Sequence, residues 1–406
     1  MAAYFQDPET RFLKPEEVER YEGEVAGRFE GIGAVVRVRE VVEPVTDPAM
    51  RHELEKLLTR YEKAGHELPD PESKVGLAGL GFTADSITKS FVYVVATVPG
   101  GPADQAGLLP GDRIQYVDGK WVVSYLPTLD LLESQTAYRN QRIKRSEYQK
   151  AVDELEKRLE GAKTPLETVD LLATATTPLK LTVQRAGAQA PLEISVSPAA
   201  SKEAAASWDE LGSEAGYLRV ANFGPETPAL VRSALNSLRS KGAKHLVLDL
   251  RNNALGGQAE MLEVLAPLMG SGPAALVETR RGKSELASLK ASGERVLDGR
   301  LVVLVNGGTA GLAEVVAAAL GEQGGARVVG APTAGRPMAI GMISLSDGSA
   351  MRITTGKYLT SKGREFGQSG LTPDALLPDA VSVRPPDKDP AVKEAARMLA
   401  SEVTGR

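Results

Sequence analysis

The chain has 406 residues, 42% hydrophobic and 25% charged, with a formal net charge of −5 and no cysteine. That length accommodates two or three domains, each with its own core. The mildly acidic balance argues against nucleic acid or an anionic membrane as the main partner. Absence of cysteine excludes disulfides, thiol catalysis and cysteine-based metal sites.

No stretch reaches the roughly eighteen uninterrupted apolar residues of a membrane-spanning helix. The first residues lack the basic and apolar regions of a signal peptide. Pro15 with Glu16, Glu17 and Glu19 marks a helix start within Lys14–Val25. The segment Gly27–Val38 then passes from a glycine-rich loop into strand-like alternation, and Gly31-Ile32-Gly33 is placed to point successive N–H groups at an anion. Pro48–Ala64 has an amphipathic helical pattern. Val92–Val98 reads as a strand, and Asp118-Gly119 as a hairpin turn. Ser124–Lys163 is a charged helical stretch with charges of both signs at helical spacing, a solvated face or a docking helix. Thr164–Leu172 reads as a further helix, Leu179–Arg185 and Leu192–Val196 as strands, and Ala199–Ala206 as a linker or short helix.

From Gly216 strands and helices alternate, which implies an α/β core. Tyr217–Phe223 is a strand, Pro228–Ser240 a helix and His245–Leu250 a buried strand. The apolar run Leu301–Val305, the turn Asn306–Gly311 and the apolar run Leu312–Leu320 form a buried strand, a tight turn and a buried helix. A residue at that turn sits at a helix N-terminus, where unpaired N–H groups can hold an anionic intermediate. Met342–Leu345, Ala350–Thr355 and Lys357–Leu359 read as strands and Asp389–Val403 as a closing helix. The histidines His52, His66 and His245 have no metal-pair or triad spacing, and Glu314 and Glu322 read as structural. No phosphate-binding loop is present.

Several segments together resemble the C-terminal processing peptidases, tail-specific serine/lysine proteases with a PDZ domain. Pro102-Ala103-Asp104-Gln105-Ala106-Gly107-Leu108-Leu109-Pro110-Gly111-Asp112 resembles the Pro-Ala-x-x-Ala-Gly-Leu-x-x-Gly-Asp run of bacterial PDZ domains. Asp249-Leu250-Arg251-Asn252-Asn253-Ala254-Leu255-Gly256-Gly257 resembles the family's Asp-Leu-Arg-x-Asn-x-Gly-Gly segment with one extra residue. Leu301–Arg336 resembles its nucleophile segment, with Glu314, Gly330, Thr333 and Gly335 in register. Asp347–Tyr358 and Gly370–Asp374 follow the pattern as well. The resemblance places Gly311 at the nucleophilic serine, Arg336 at the lysine base and Ile340 at the glutamine that completes the triad. Gly311 offers no nucleophile. Arg336 stays protonated and cannot serve as a base, and Ile340 cannot hydrogen-bond. The oxyanion-hole positions match Gly256 or Gly257, and Leu312. The peptide-binding loop matches Gly31, Ile32, Gly33, Ala34 and Val36, which would take a C-terminal carboxylate by strand addition.

The resulting expectation is a multidomain α/β protein: a PDZ-like β-rich domain with helical insertions and an α/β, crotonase-like peptidase core. Residues 1–26 belong to the core as its N-terminal segment, 27–200 form the PDZ-like domain with insertions at about 45–80 and 124–163, 205–386 form the core and 387–406 the C-terminal helix. Function is expected to be binding of polypeptide C-termini without hydrolysis and without cofactor or metal. Partners are unfolded polypeptides and an active relative, with no nucleic acid and no integral membrane segment in this chain. By resemblance the location is periplasmic or cell envelope, the chain beginning after any signal. Two rivals remain: an enzyme with a relocated nucleophile at an exposed Thr309 or Thr333, and a scaffold with a closed PDZ groove.

Overall fold

The computed structural model describes residues 10–63, 86–125, 127, 129–212, 214–279, 286–335, 337–366, 370–377, 380 and 383–401. The chain divides into two compact units. One takes Val36–Tyr93 and Asp112–Val196 with the start of the chain; the other takes Phe12–Val35, Val94–Gly111 and Ser197–Arg406.

In chain order, β1 (Arg11–Leu13) precedes α1 (Pro15–Val25), where Pro15 opens the helix and the Glu17 carboxylate accepts the Lys14 N–H at 2.8 Å. Then come β2 (Arg28–Phe29), β3 (Ala34–Pro44), α2 (Pro48–Lys63), β4 (Ser86–Thr97), α3 (Pro102–Gln105), β5 (Arg113–Val117) and β6 (Lys120–Trp121). The charged stretch after β6 is two helices rather than one, α4 (Leu129–Arg139) and α5 (Arg145–Leu159). The chain turns between them at Gln141, whose φ of 56° lies outside the helical region. Helix α6 (Pro165–Thr174) starts at a reciprocal cap: the Glu167 N–H donates to Thr164 Oγ1 (3.2 Å) and the Thr164 N–H to Glu167 Oε2 (2.8 Å). Strands β7 (Leu179–Gln184) and β8 (Leu192–Val196) complete a sheet of order β3-β4-β5-β7-β8, with β6 paired to β5.

That first unit is held by cation contacts on named side chains. Arg185 binds the buried Asp112 carboxylate bidentately at 2.8 and 2.7 Å. The Arg158 guanidinium of α5 lies 3.5 Å from the Trp121 ring centre and donates to Asp130 of α4 at 2.8 Å. Arg158 thus ties α4 and α5 to β6, and Lys120 Nζ of β6 donates to the Glu160 carbonyl at the end of α5 (3.2 Å).

The second unit continues with β9 (Ser201–Lys202), β10 (Ala206–Glu210), β11 (Ala215–Val220), α7 (Thr227–Ser240), β12 (His245–Asp249), α8 (Gln258–Met269), β13 (Gly272–Thr279), β14 (Leu286–Ala291), β15 (Leu301–Val305) and α9 (Leu312–Glu322). It closes with β16 (Arg327–Gly330), β17 (Met338–Ser344), β18 (Ala350–Thr360), β19 (Ala375–Leu376) and α10 (Pro390–Ser401). Residues 199–206 form no helix. Instead β9 pairs with β2, and the Glu203 N–H reaches the Gly27 carbonyl at 2.9 Å, so tertiary pairing overrides local preference. The two strands expected between Ala350 and Leu359 are one strand; Gly356 does not break it, and a Cβ there would sit 2.4 Å from the Glu278 carbonyl oxygen of β13.

Strands β11, β12, β15 and β16 are parallel, with β10 antiparallel at one edge and β19 parallel at the other. Alternate residues serve the two faces, as a strand's period of two requires. Leu246, Leu248, Val303 and Val305 pack with residues of α7, α8 and α9, while Val247, Val302 and Leu304 pack with Ala391, Val392, Ala395 and Leu399 of α10. Burial on both faces explains the unbroken apolar run of β15. A second sheet has order β1-β18-β13-β14, with β17 paired to β18.

Candidate functional site

Adjacent parallel strands β12 and β15 end side by side, Asp249 opposite Leu304, and each leads through a tight turn into a helix. Such carboxyl ends of parallel strands are where open α/β sheets place their ligands. The two turns are clasped by amides. The Asn252 N–H donates to Asn306 Oδ1 (3.0 Å), Asn306 Nδ2 to Asn252 Oδ1 (2.9 Å), and Asn252 Nδ2 to the Thr97 carbonyl (2.9 Å). Ala310 N–H closes on the Asn253 carbonyl at 2.9 Å. Asn252 adopts a φ of 59°, and a Cβ on Gly308 would lie 2.5 Å from Asn252 Oδ1, so the glycine is needed for the approach.

Below the clasp, Asp249 and Arg251 are fully buried. Arg251 Nη2 donates to Asp249 (2.6 Å) and to Asp389 (2.8 Å), and Tyr217 OH donates to Asp249 at 2.8 Å. Burial alone would raise the Asp249 carboxyl, but the Arg251 and Arg219 guanidiniums outweigh it and hold it below the usual carboxylate range. Asp389 also accepts the Ala391 N–H at 2.9 Å, capping α10. The Asp-Leu-Arg motif is thus a buried brace between β12 and the last helix.

Gly311 is the N-cap of α9, at φ 60° and ψ −117°. A Cβ built on it meets nothing within 4 Å, so the space beside the turn is open although the backbone is one that L residues rarely adopt. Its N–H donates to Glu314 Oε2 at 3.0 Å. The other oxygen of this buried carboxylate accepts Thr333 Oγ1 (2.5 Å) and the Gly335 N–H (2.8 Å), stapling the loop before β17 to the start of α9. The structural role expected for Glu314 is this staple. Glu322 likewise serves structure, binding Ser361 Oγ at 2.6 Å.

The expectation that Thr309 or Thr333 is exposed is overturned. Thr309 is 0% exposed; its hydroxyl donates to the Leu250 carbonyl (2.8 Å) and accepts the Asn306 N–H (3.0 Å). Thr333 is buried, and its hydroxyl also accepts the Leu371 N–H at 2.7 Å. Both hydroxyls serve turn geometry.

Of the oxyanion-hole positions, Gly257 spends its N–H on the Phe223 carbonyl at 2.9 Å. The N–H groups of Gly256 and Leu312 have no hydrogen-bond acceptor among the described residues. Gly256 has a φ of 129°, and a Cβ would lie 2.4 Å from the Phe223 oxygen. Ile340 stands in β17 opposite Thr354 and is 39% exposed. Arg336 and His66 lie outside the described residues.

In the predicted peptide-binding loop, Gly31 and Gly33 have φ of 60° and 66°. The side chains of Ile32 and Val36 are buried and that of Ala34 is half-buried, so the loop does not present these apolar side chains at the surface. The Gly33 N–H turns inward to Glu30 O (3.3 Å), and the carbonyls of Gly31, Ile32 and Gly33 accept from Ala199, Ala103 and Val98. His52 lies on α2 near Glu55, and His245 Nδ1 accepts the Arg300 N–H at 2.9 Å. Among the described residues no cluster of three or more His, Asp or Glu is arranged to hold a metal, and no helix is long and apolar enough to cross a membrane.

Sequence reasoning missed the buried pairing of Asp389, the Asn252–Asn306 clasp, and the start and exposure of strand β17, which it read as Met342–Leu345. Asp389 directly before Pro390 was a readable cap signal; the other two depend on long-range pairing.

Family models match in two places: peptidase family S41 at residues 214–377 and PDZ domain at residues 71–132. The chain is 30% identical over 302 residues to a chloroplastic C-terminal processing peptidase of Tetradesmus obliquus, covering 74% of this chain and 59% of that protein. It is 26% identical over 340 residues to a carboxyl-terminal-processing protease of Synechocystis sp., covering 84% and 70%. The chain belongs to the C-terminal processing peptidase family. A solved structure named as the photosystem II D1 C-terminal processing protease superposes with a TM-score of 0.61 at 23% identity, covering 99% of this chain and 84% of that one, and shows the same fold. Family relatives include bacterial and chloroplast proteins. The chain spans 59% of the Tetradesmus relative and 53% of an Arabidopsis thaliana one.

Proposed function

We propose that this member of the family binds the C-termini of extended polypeptides and does not cleave them. The observation that carries the reading is the turn before α9. Its matched nucleophile position is Gly311, and the hydroxyls of Thr309 and Thr333 are buried in hydrogen bonds. An acyl-enzyme needs a nucleophile beside a base that can lose its proton. Gly311 lacks the first, and arginine at 336 lacks the second at neutral pH. Ile340 at the third position supplies an apolar surface instead of a hydrogen bond.

The same reading assigns residues 27–200 to the PDZ-like module and 205–386 to the peptidase-like core, with 1–26 and 387–406 completing the core. It places the protein outside the cytoplasm, in a cell envelope or an equivalent lumen, as a client-binding partner of an active relative. The test is incubation with unfolded substrates ending in apolar residues, followed by mass spectrometry. Intact substrate is expected, and cleavage by the wild-type chain overturns the reading. The triple variant Gly311→Ser, Arg336→Lys, Ile340→Gln regains cleavage if the cleft is otherwise intact.

Burial of Ile32 and Val36 favours a second reading, a scaffold whose peptide groove is closed. Peptides with free and amidated C-termini separate the two, because only an open groove prefers the free carboxylate.

A further inference from the structure

The second sheet ends on an edge that nothing among the described residues covers. Among the described residues, strand β17 pairs only with β18. Edge strands in soluble proteins are normally shielded by charges, prolines or brevity. Here the nine residues of Met338–Ser346 contain no ionisable side chain and no proline. Ile340 (39%), Met342 (40%), Ile343 (53%) and Leu345 (42%) are all exposed. Ile340 and Met342 share the face of Thr354 and Arg352, while Ile343 shares that of Met351, so apolar side chains stand on both sides of the edge.

The backbone of that edge is also open, in a definite register. The Leu345 N–H donates to the Ser349 carbonyl at 2.8 Å, which makes that pair a hydrogen-bonded one. In an antiparallel ladder the type alternates, so Ile343 and Gly341 bond to β18, whereas Ser344, Met342 and Ile340 turn their N–H and C=O groups outward.

We propose that β17 is a strand-addition edge for an extended, uncharged polypeptide segment. This deepens the reading of a non-cleaving polypeptide binder and rests on it. Two features select a client polypeptide as occupant. First, the edge starts at the candidate site: the Gly335 N–H and Thr333 are held by the same Glu314 carboxylate that binds Gly311, so a chain laid along β17 runs from the turn where the family cuts. Second, an edge with no charge offers no ion pair, so it favours segments whose alternate side chains are apolar and penalises charged ones by desolvation. A second copy of the chain is the competing occupant. A two-fold pairing centred on Met342 would set Ile340 against Ser344, leaving that apolar side chain facing a hydroxyl.

The probe is a fluorescent peptide of alternating leucine and serine with a free C-terminus, titrated by anisotropy into the full chain. The key variant is Met342→Pro. The Met342 N–H faces outward and the preceding residue is Gly341, so proline removes an edge donor without removing a bond to β18. Wild-type binding that weakens about tenfold or more in Met342→Pro, and in wild type with a peptide N-methylated at alternate positions, supports strand addition. Thermal unfolding of the variant at the wild-type temperature verifies that the fold is intact. Binding that ignores both the proline and the N-methyl groups overturns the edge while leaving the binder reading standing. No binding by wild type overturns both. A wild-type dimer that Met342→Pro dissociates, with no change in peptide affinity, assigns the edge to a second copy and also overturns the proposal.

Discussion

The turn into α9 and the strand β17 are tied to one another through Glu314, yet they use their polar groups in opposite ways. In the turn, the Thr309 hydroxyl, the Asn306 amide and the Ala310 N–H are bonded to the neighbouring turn. In β17, the outward backbone groups and the exposed Ile340, Met342 and Ile343 side chains pair with no other described strand. A hydroxyl that holds a backbone carbonyl and accepts a backbone N–H is a poor nucleophile, because attack would strip a buried donor and acceptor of their partners. The contrast teaches that within one fold a stretch that spends its polar groups internally can lie next to a stretch that leaves them available to a partner.

The largest blow to the committed side of this contrast should come from its brace. Arg251→Ala leaves Asp249 and Asp389 buried without their shared cation, which typically costs ~3–5 kcal/mol. Equilibrium urea unfolding followed by a probe in the second unit should show a large drop in midpoint. A midpoint near wild type would mean that the turns do not depend on the brace.

Thr309→Val comes next. It keeps the shape and removes the hydroxyl, taking one hydrogen bond from the Leu250 carbonyl, which keeps the Asn253 N–H at 3.2 Å, and one from the Asn306 N–H, at a cost of about 1–3 kcal/mol. Hydrolysis of unfolded substrates should be absent before and after. Any cleavage by wild type that disappears in Thr309→Val would make Thr309 a nucleophile and erase the contrast.

Much of this architecture was legible in the sequence, and the failures have physical causes. Strands β12 and β15 and helices α1, α6 and α9 announce themselves through apolar runs and caps at Pro15 and Thr164. Helix α8 and strands β13 and β14 received no assignment: Pro267 sits inside the helix, and the strands exist through pairing with each other and with β18. Of the candidate positions, Gly311 lies at the N-cap of α9 with Leu312 directly after it, next to the turn clasped to that of Asn252. Burial was not legible. Thr309 looks like an available hydroxyl in a glycine-rich turn until its partners, the Leu250 carbonyl just after β12 and the Asn306 N–H of its own turn, are known. The openness of β17 is likewise a property of what fails to pair with it, which no local pattern records.

A smaller effect is expected at the nucleophile position itself. Gly311→Ala adds a methyl group to open space, but at φ 60° and ψ −117° the backbone penalty is about 1–3 kcal/mol. By comparison Ile343→Lys on the exposed edge should change stability by less than about 0.5 kcal/mol. Thermal unfolding of the pair measures how differently the two stretches tolerate change. Equal losses would mean that β17 is less open than its exposure implies.

The smallest predicted effect separates the two ends of β12. At its entry, His245 Nδ1 accepts the Arg300 N–H, so protonation would set a donor against a donor. Burial, then the charge of Arg300, pushes this imidazole below its ordinary value. The folded state therefore binds the proton less readily than the unfolded chain. Its contribution is fully present above about pH 6.5 and is lost as pH falls through the folded value. At the exit, the lowered Asp249 carboxyl contributes above its ordinary range near pH 3.9 and fails only as pH drops further. Mild acid should thus loosen the entry of β12 before its exit. Unfolding midpoints of wild type and His245→Gln, compared between about pH 7 and pH 5, should converge as pH falls, because only wild type carries the titrating group. Parallel profiles would show that His245 titrates alike in both states, and the asymmetry between the strand's two ends would then have to come from packing alone.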